Sequence, residues 1–298
     1  MRGIIQIDKE RDYTSFDVVA IIRKLTGTKK VGHTGTLDPF ATGVLTVLLG
    51  DCTRLADLLP VKDKSYTARF RLGQTTDTGD ITGKIITECA LSVTDEQVRQ
   101  AVVRFKGTIT QIPPMYSAVQ VNGVRLYKLA RQGVEIERPS RRVTIHEISL
   151  ISADENIHEY EISVDCGGGT YIRTLVEDIG KALGCGAVTI ALRRTKANGI
   201  PVEDCLTIPE LRELAEAGLL ARTVTSPEVL LSAYESVSVS AAQAARFSNG
   251  GTLDFARLNI RPESDRLYRV YDGGKTLIGL GIADLQREQL RVKCLLRM

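Results

Sequence analysis

The stretch Gly32-His33-Thr34-Gly35-Thr36-Leu37-Asp38-Pro39 gathers one carboxylate, two glycines, two threonines and a histidine within eight residues. Glycine lets the backbone take angles that other residues avoid and lets a ligand approach closely. Pro39 lacks an amide hydrogen and turns Asp38 away from helical geometry, so the carboxylate is expected in an extended turn on a loop that follows a helix. Asp before Pro is also common in ordinary turns. The rest of the chain has to decide which kind this is.

Upstream, residues 3–7 read as a short strand. Thr14 or Ser15 can cap a helix whose apolar face includes Phe16, Val19, Ala20 and Ile22. Downstream, residues 44–49 are a continuous apolar run of strand length. Tyr66-Thr67-Ala68-Arg69-Phe70-Arg71-Leu72 then alternates, with Tyr66, Ala68, Phe70 and Leu72 on one face and two arginines on the other. Thr94 and Gln97 have capping-box spacing and start a helix running to about Phe105. Asn122-Gly123 signals a hairpin turn, and Gly133 closes a short helix containing Leu126, Leu129 and Ala130. Residues 143–150 and 160–165 read as strands. Residues 171–183 have helical periodicity, with Ile172, Leu175, Val176 and Ile179 as the apolar stripe and Gly184 as the stop.

These elements alternate without a strict strand-helix-strand repeat, which favours an α+β fold with a mixed sheet over a doubly wound parallel one. The pattern weakens over residues 224–238, the expected boundary between domains at 1–232 and 233–298. Beyond it, residues 240–247 suit a short helix. Residues 267–271, 277–282 and 289–296 read as closely spaced strands of a small β-rich module.

Composition bounds the function loosely. The 298 residues, 43% hydrophobic and 25% charged, describe an ordinary globular chain of about two domains. A formal charge of +3 does not identify a nucleic-acid binder, although a balanced total can hide a one-sided field. The local clusters are Lys29-Lys30, Arg138 with Arg141-Arg142, and Arg193-Arg194 with Lys196. Six cysteines without a Cys-x-x-Cys pair argue against zinc and against a redox dithiol. No apolar run approaches the roughly 18 residues that span a bilayer, so no membrane role and a cytoplasmic location with reduced thiols are expected.

Residue for residue, the opening octet resembles the active-site motif of the TruB family of tRNA pseudouridine synthases. Four further stretches resemble that family in the same order. They are Asp63-Lys64-Ser65-Tyr66 with Leu72-Gly73-Gln74-Thr75-Thr76-Asp77-Thr78-Gly79-Asp80, then Gln111-Ile112-Pro113-Pro114-Met115-Tyr116-Ser117-Ala118 with Leu126-Tyr127 and Ala130-Arg131-Gln132-Gly133, then Gly169-Thr170-Tyr171-Ile172-Arg173-Thr174-Leu175, and finally Leu192-Arg193-Arg194-Thr195. One departure stands out. Where the family usually has Asp-Lys-Pro-x-Gly-x-Thr-Ser, this chain has Asp8-Lys9-Glu10-Arg11-Asp12-Tyr13-Thr14-Ser15. The loss of proline and glycine removes a rigid, permissive turn, so a changed loop conformation is expected there.

The resemblance implies a largely antiparallel mixed sheet flanked by helices, followed by a PUA-like module suggested by Gly279-Leu280-Gly281-Ile282 and the hairpin before it. It also implies isomerisation of uridine 55 in the T loop of tRNA to pseudouridine. The N1–C1′ bond breaks, the uracil turns over, and C5 joins C1′, with no redox cofactor, nucleotide or metal required. In that reading Asp38 is the nucleophile or base, Arg173 pairs with it, and Tyr66 packs on the target base and handles the C5 proton. Leu192 and Tyr171 wall the pocket, and Lys9 and Lys64 contact substrate. His33 stacks in the gap left by the extruded uridine, as an aromatic group rather than a metal ligand. The basic clusters would meet phosphates of the T arm, and the C-terminal module would reach the acceptor end. A compact N-terminus without a Lys-rich tail suits a monomer without an obligate protein partner, rather than a guide-RNA-dependent relative.

Other chemistries fit less well. A Ser/His/Asp hydrolase lacks a Gly-x-Ser-x-Gly elbow after a strand. Gly167-Gly168-Gly169 precedes a helix, but no Gly-Lys-Ser/Thr follows, so a phosphate loop is poorly supported. A non-catalytic tRNA chaperone would retain the RNA contacts without needing every catalytic match intact.

Overall fold

The alternating segment around Tyr66 lies near the middle of the main sheet. In the computed structural model, which describes residues 1–121 and 123–296, the first part of the chain forms β1 (Gly3–Lys9), α1 (Ser15–Thr26), β2 (Val31–His33), β3 (Thr42–Leu49) and β4 (Lys64–Leu72). There follow β5 (Gln74–Thr76), β6 (Ile85–Glu88), α2 (Asp95–Val103), β7 (Gly107–Gln111), β8 (Gln120–Val121), β9 (Val124–Arg125), α3 (Leu126–Arg131), β10 (Arg141–Asp154) and β11 (Glu159–Cys166). Next come α4 (Ile172–Ala182), β12 (Ala187–Ala197), β13 (Ile200–Pro201), α5 (Ile208–Glu216) and α6 (Glu228–Leu231). The last part comprises β14 (Glu235–Ser238), α7 (Ala241–Ser248), β15 (Leu253–Asp254), β16 (Leu267–Tyr271), β17 (Leu277–Asp284) and β18 (Gln289–Leu295).

Among the described residues, a nine-stranded sheet runs in the order β1-β3-β12-β4-β11-β10-β7, with β2 beside β3 and β13 beside β12. Every pairing is antiparallel except β3 with β12, where Arg193 and Arg194 face Thr42 and Gly43. This is the expected α+β architecture. The parallel junction depends on Gly43, because a Cβ there would lie 2.1 Å from the Arg194 carbonyl oxygen, and its φ of 103° suits glycine. The loop carrying Asp38 leads into β3, so it sits at the point where the two halves of the sheet meet.

One face of the sheet packs against α4. Phe70, Ile162 and Val164 meet Leu175, Val176 and Ile179 there, all essentially solvent-free. At about 1.5–3 kcal/mol for each large side chain buried, this layer anchors both walls of the site. A second cluster joins Ile5, Ile7, Leu45 and Val47 to α1 and α5.

The C-terminal strands form a separate five-stranded sheet, β14-β16-β17-β18-β15, with Phe247, Tyr268 and Val270 in its core. Leu277, Leu280 and Leu296 pack against Leu48 and Leu55, which joins the two sheets.

Several expectations need correction. The octet does not lie wholly on a loop, because Val31–His33 pairs with β3 as a strand. In α1 the buried stripe is Ser15, Val18, Val19 and Ile22, while Phe16 is 67% exposed and Ala20 faces solvent. The i, i+3, i+4, i+7 series starting at Ser15 wins because Ser15 itself is buried against the loop that carries Asp38. The expected turn at Asn122 lies outside the described residues, and the short strands β8 and β9 pair on either side of it.

The altered turn after β1 keeps a left-handed residue. Asp12, standing where the family pattern has glycine, takes φ 70°, a conformation that Asp tolerates better than most residues. Its amide donates to the Pro39 carbonyl at 2.8 Å.

Candidate active site

The loop over residues 34–39 has little regular structure, so its shape comes from side chains that reach it from elsewhere. Ser15 Oγ accepts from the Leu37 amide at 2.9 Å and donates to the Leu37 carbonyl at 3.2 Å. Asn198 donates to Thr34 Oγ1 at 2.7 Å. Arg194, 2% exposed, donates from Nη2 to the Gly35 carbonyl and from Nε to the Val44 carbonyl. Lys9 is fully buried, and its ammonium donates to the carbonyls of Tyr13 at 2.7 Å, Glu10 at 2.9 Å and Pro39 at 3.2 Å. Leu37 and Phe40 fill the core on either side, leaving the Asp38 side chain 31% exposed at the mouth of a cavity.

Arg173 closes the pair from α4. Its Nε donates to Asp38 Oδ2 at 2.9 Å and its Nη2 to Asp38 Oδ1 at 3.1 Å. The guanidinium, 3% exposed, also donates to the carbonyls of Thr78 at 2.6 Å and Tyr116 at 2.7 Å, with Asp80 Oδ2 at 3.6 Å from Nη1. A buried cation is tolerable only when its donors are satisfied, and here two carboxylates and two carbonyls do so. The two-point pair fixes the orientation of the carboxylate as well as its position.

β4 and β12 supply the floor and one wall. Tyr66 faces Arg194 across the strands and Ala68 faces Leu192, so Tyr66, Leu192 and Arg194 share one side of the sheet. Tyr66, Leu192, Tyr171, Lys64 and Asp38 all line a cavity of about 230 Å³. Burial pushes the Tyr66 phenol above its ordinary range, with the Arg194 cation working against the shift. The phenol is therefore neutral at physiological pH.

Tyr171 stands at the N-terminus of α4 and is held by Gln111, whose Oε1 accepts from the Tyr171 amide at 3.0 Å and whose Nε2 donates to the Tyr171 carbonyl at 3.1 Å. The Arg141 guanidinium lies over the Tyr171 ring, 4.5 Å from its centroid.

His33, at the end of β2, is half-buried and outside the cavity lining. Burial, together with the cations Arg194 and Arg125, lowers its pKa, so the imidazole is neutral at physiological pH. Lys9 also lies outside the lining, and its bonds make it an internal brace of the loop. Asp38, Arg173, Tyr66, Leu192, Tyr171 and Lys64 are thus brought together, and His33 and Lys9 are not.

Sequence reasoning missed several residues that build this site. Asp80 and Gln111 sat inside recognised motifs without a role. Arg194 was grouped with phosphate-binding residues, but it is buried against carbonyls, and Arg193 is paired with Asp8 at 2.7 Å on the opposite side of β12. Strand alternation could have separated the two arginines, since neighbours in a strand point to opposite faces. Among the described residues, no group of three or more His, Cys, Asp and Glu side chains is placed to hold a metal ion. Among the described residues, no helix is long and apolar enough to cross a membrane.

Known proteins resemble this chain over nearly its whole length. Residues 23–172 match the profile of the TruB family pseudouridylate synthase N-terminal domain, and residues 173–232 match the tRNA pseudouridylate synthase B C-terminal domain. The chain is 41% identical over 286 residues to tRNA pseudouridine synthase B of Clostridium perfringens, covering 95% of this chain and 96% of that protein. It is 38% identical to the protein of the same name from Cupriavidus metallidurans, covering 100% of this chain and 95% of that one. Among solved structures, the crystal structure of a Cbf5-Nop10-Gar1 complex contains a chain that matches with a TM-score of 0.75 and 25% identity, over 98% of this chain and 83% of the other. The chain belongs to the TruB family of pseudouridylate synthases.

Proposed function

We propose that this chain converts uridine 55 in the T loop of tRNA to pseudouridine, with Asp38 acting on the glycosidic bond. The observation that carries the reading is the two-point pairing of Asp38 with buried Arg173 at the mouth of a cavity walled by Tyr66, Tyr171 and Leu192. A carboxylate so held cannot turn away from a base entering the cavity.

The target uridine must leave the folded loop, at a cost of a few kcal/mol, and the neutral imidazole of His33 fills the space it vacates. Asp38 then attacks as nucleophile or removes a proton as base while the N1–C1′ bond breaks. The freed uracil is held between the apolar wall of Leu192 and the rings of Tyr66 and Tyr171 while it turns. As C5 joins C1′, any bond Asp38 has made breaks with its electron pair returning to the carboxylate. The C5 proton then passes through the Tyr66 hydroxyl to solvent while N1 takes one up, so the proton count is unchanged. The products have the composition of the reactants, so the step needs no external oxidant or reductant.

In this reading the catalytic domain spans residues 1–232, and residues 233–298 form a PUA-like module directed at the acceptor end. The enzyme works as a monomer in the cytoplasm without guide RNA. The purified chain is expected to form pseudouridine at position 55 of an unmodified tRNA transcript, mapped by chemical labelling. Modification at another position, or a requirement for added guide RNA, would contradict the proposal.

A further inference from the structure

The charges around the cavity do not balance. Four cationic side chains, Lys64, Arg141, Arg173 and Arg194, line it with one carboxylate, Asp38. Two of the cations are fully used by the protein. Arg173 is spent on Asp38 and two carbonyls, and Arg194 on the carbonyls of Gly35, Thr36 and Val44.

Lys64 and Arg141 are different. Among the described residues, the Lys64 ammonium has no hydrogen-bond acceptor or carboxylate within ion-pair distance, and it lies close to Arg194. Lys64 Nζ and Arg194 Nη1 stand 3.9 and 3.7 Å from the position a Cβ would take on Gly35. The other titratable groups facing Lys64 are Cys166, Asp63 and Arg141. Asp63 turns instead toward His146, at 3.4 Å. Burial and the Arg194 charge lower the Lys64 pKa, so its ammonium is held at a cost in the free protein.

Arg141 is fixed by its strand register opposite Gln111, by the Tyr171 ring beneath it and by a hydrogen bond from Nη2 to the Gly169 carbonyl. Its Nε is buried without a partner among the described residues, and no hydrogen bond engages Nη1. An oriented guanidinium and an unpaired ammonium lining one cavity suit a phosphodiester far better than an uncharged base.

We infer that Lys64 and Arg141 form a phosphate subsite that grips a phosphodiester flanking the extruded nucleotide. The inference rests on the function proposed above. It assigns these side chains to the backbone of the target nucleotide, leaving the uracil ring to Tyr66, Tyr171 and Leu192. Lys64 thereby gains the anion it lacks, and the ribose is drawn against Asp38 from the phosphate side.

The test uses the full chain and T stem-loop RNAs in which the phosphate on the 5′ or the 3′ side of the target uridine is a neutral methylphosphonate. Wild-type protein should bind one of the two about tenfold more weakly than the all-phosphate RNA, as expected for loss of a charge-assisted contact. Lys64→Met should lose a similar factor on all-phosphate RNA and nothing further on the sensitive methylphosphonate. Its log Kd against log salt slope should fall by about 0.7 to 0.9. Arg141→Met should behave in the same way, and Lys64→Arg should restore most of the affinity. Equal binding of all three RNAs by wild type, or protein and RNA changes whose losses multiply, would overturn the subsite. Conversion of the all-phosphate RNA by wild type is scored separately, because its absence would count against the proposed function instead.

Discussion

Arg173 grips both carboxylate oxygens of Asp38, through Nε at 2.9 Å and Nη2 at 3.1 Å, while its remaining hydrogen bonds go to the carbonyls of Thr78 and Tyr116. A lysine cannot reproduce that fork. Arg173→Lys is therefore expected to lower single-turnover conversion by about a hundredfold or more, which is roughly 2.7 kcal/mol of barrier, while RNA affinity changes little. Stopped-flow and filter-binding measurements on the same variant separate the two. A loss confined to affinity would make Arg173 a phosphate contact.

Tyr66 is packed by its ring and functions by its hydroxyl in this account. Tyr66→Phe retains the apolar contacts with the floor of the cavity, so thermal stability should move by less than about 1 kcal/mol. Conversion should fall steeply. Undiminished conversion by Tyr66→Phe would leave the phenol no part in handling the C5 proton.

Lys9 provides a pH signature. Burial, opposed first by the Asp38 charge, lowers its pKa from 10.5 to about 8. Between those values the unfolded chain holds a proton that the folded chain has released. Folding stability relative to Lys9→Met should therefore be lowest below pH 8 and rise through pH 10.5, by on the order of 3 kcal/mol. Denaturant titrations of both proteins across that window give the difference directly, and a flat difference would contradict the burial argument.

Asp12 holds φ 70° in the turn that donates to Pro39 beside Asp38. A β-branched residue fits that region poorly, so Asp12→Val should cost about 1–2 kcal/mol in thermal unfolding, whereas Asp12→Gly should cost none. Equal stability of all three chains would mean that the turn adapts to its residue.

The same turn shows how far the sequence could be read. Its missing proline and glycine were visible, but Lys9 binding three carbonyls from below was not, because those partners lie as far away as Pro39. The strand through Tyr66 was legible from its alternation, and α4 from its stripe. β12 was not recognised as a strand, although it lies between β3 and β4, because the register shifts at Thr189/Ala191 and Arg194/Lys196 leave only a short alternating stretch around Arg193 and Arg194. That concealed the different fates of Arg193 and Arg194. The convergence of Asp38, Tyr66, Arg173, Tyr171 and Leu192 on one cavity was legible through motif order, and the residues that orient them were not. Gln111 and Asp80 act through bonds to distant backbone or to another side chain, which no local pattern records.

The central claim is that Asp38 performs the chemistry, and Asp38→Asn tests it most directly. The substitution keeps the size of the side chain and one carbonyl oxygen for Arg173, so the fold and tRNA binding should persist. Single-turnover assays with an unmodified tRNA transcript, at enzyme concentrations above the measured Kd, should detect no pseudouridine at position 55. Conversion at the wild-type rate under those conditions would contradict the account.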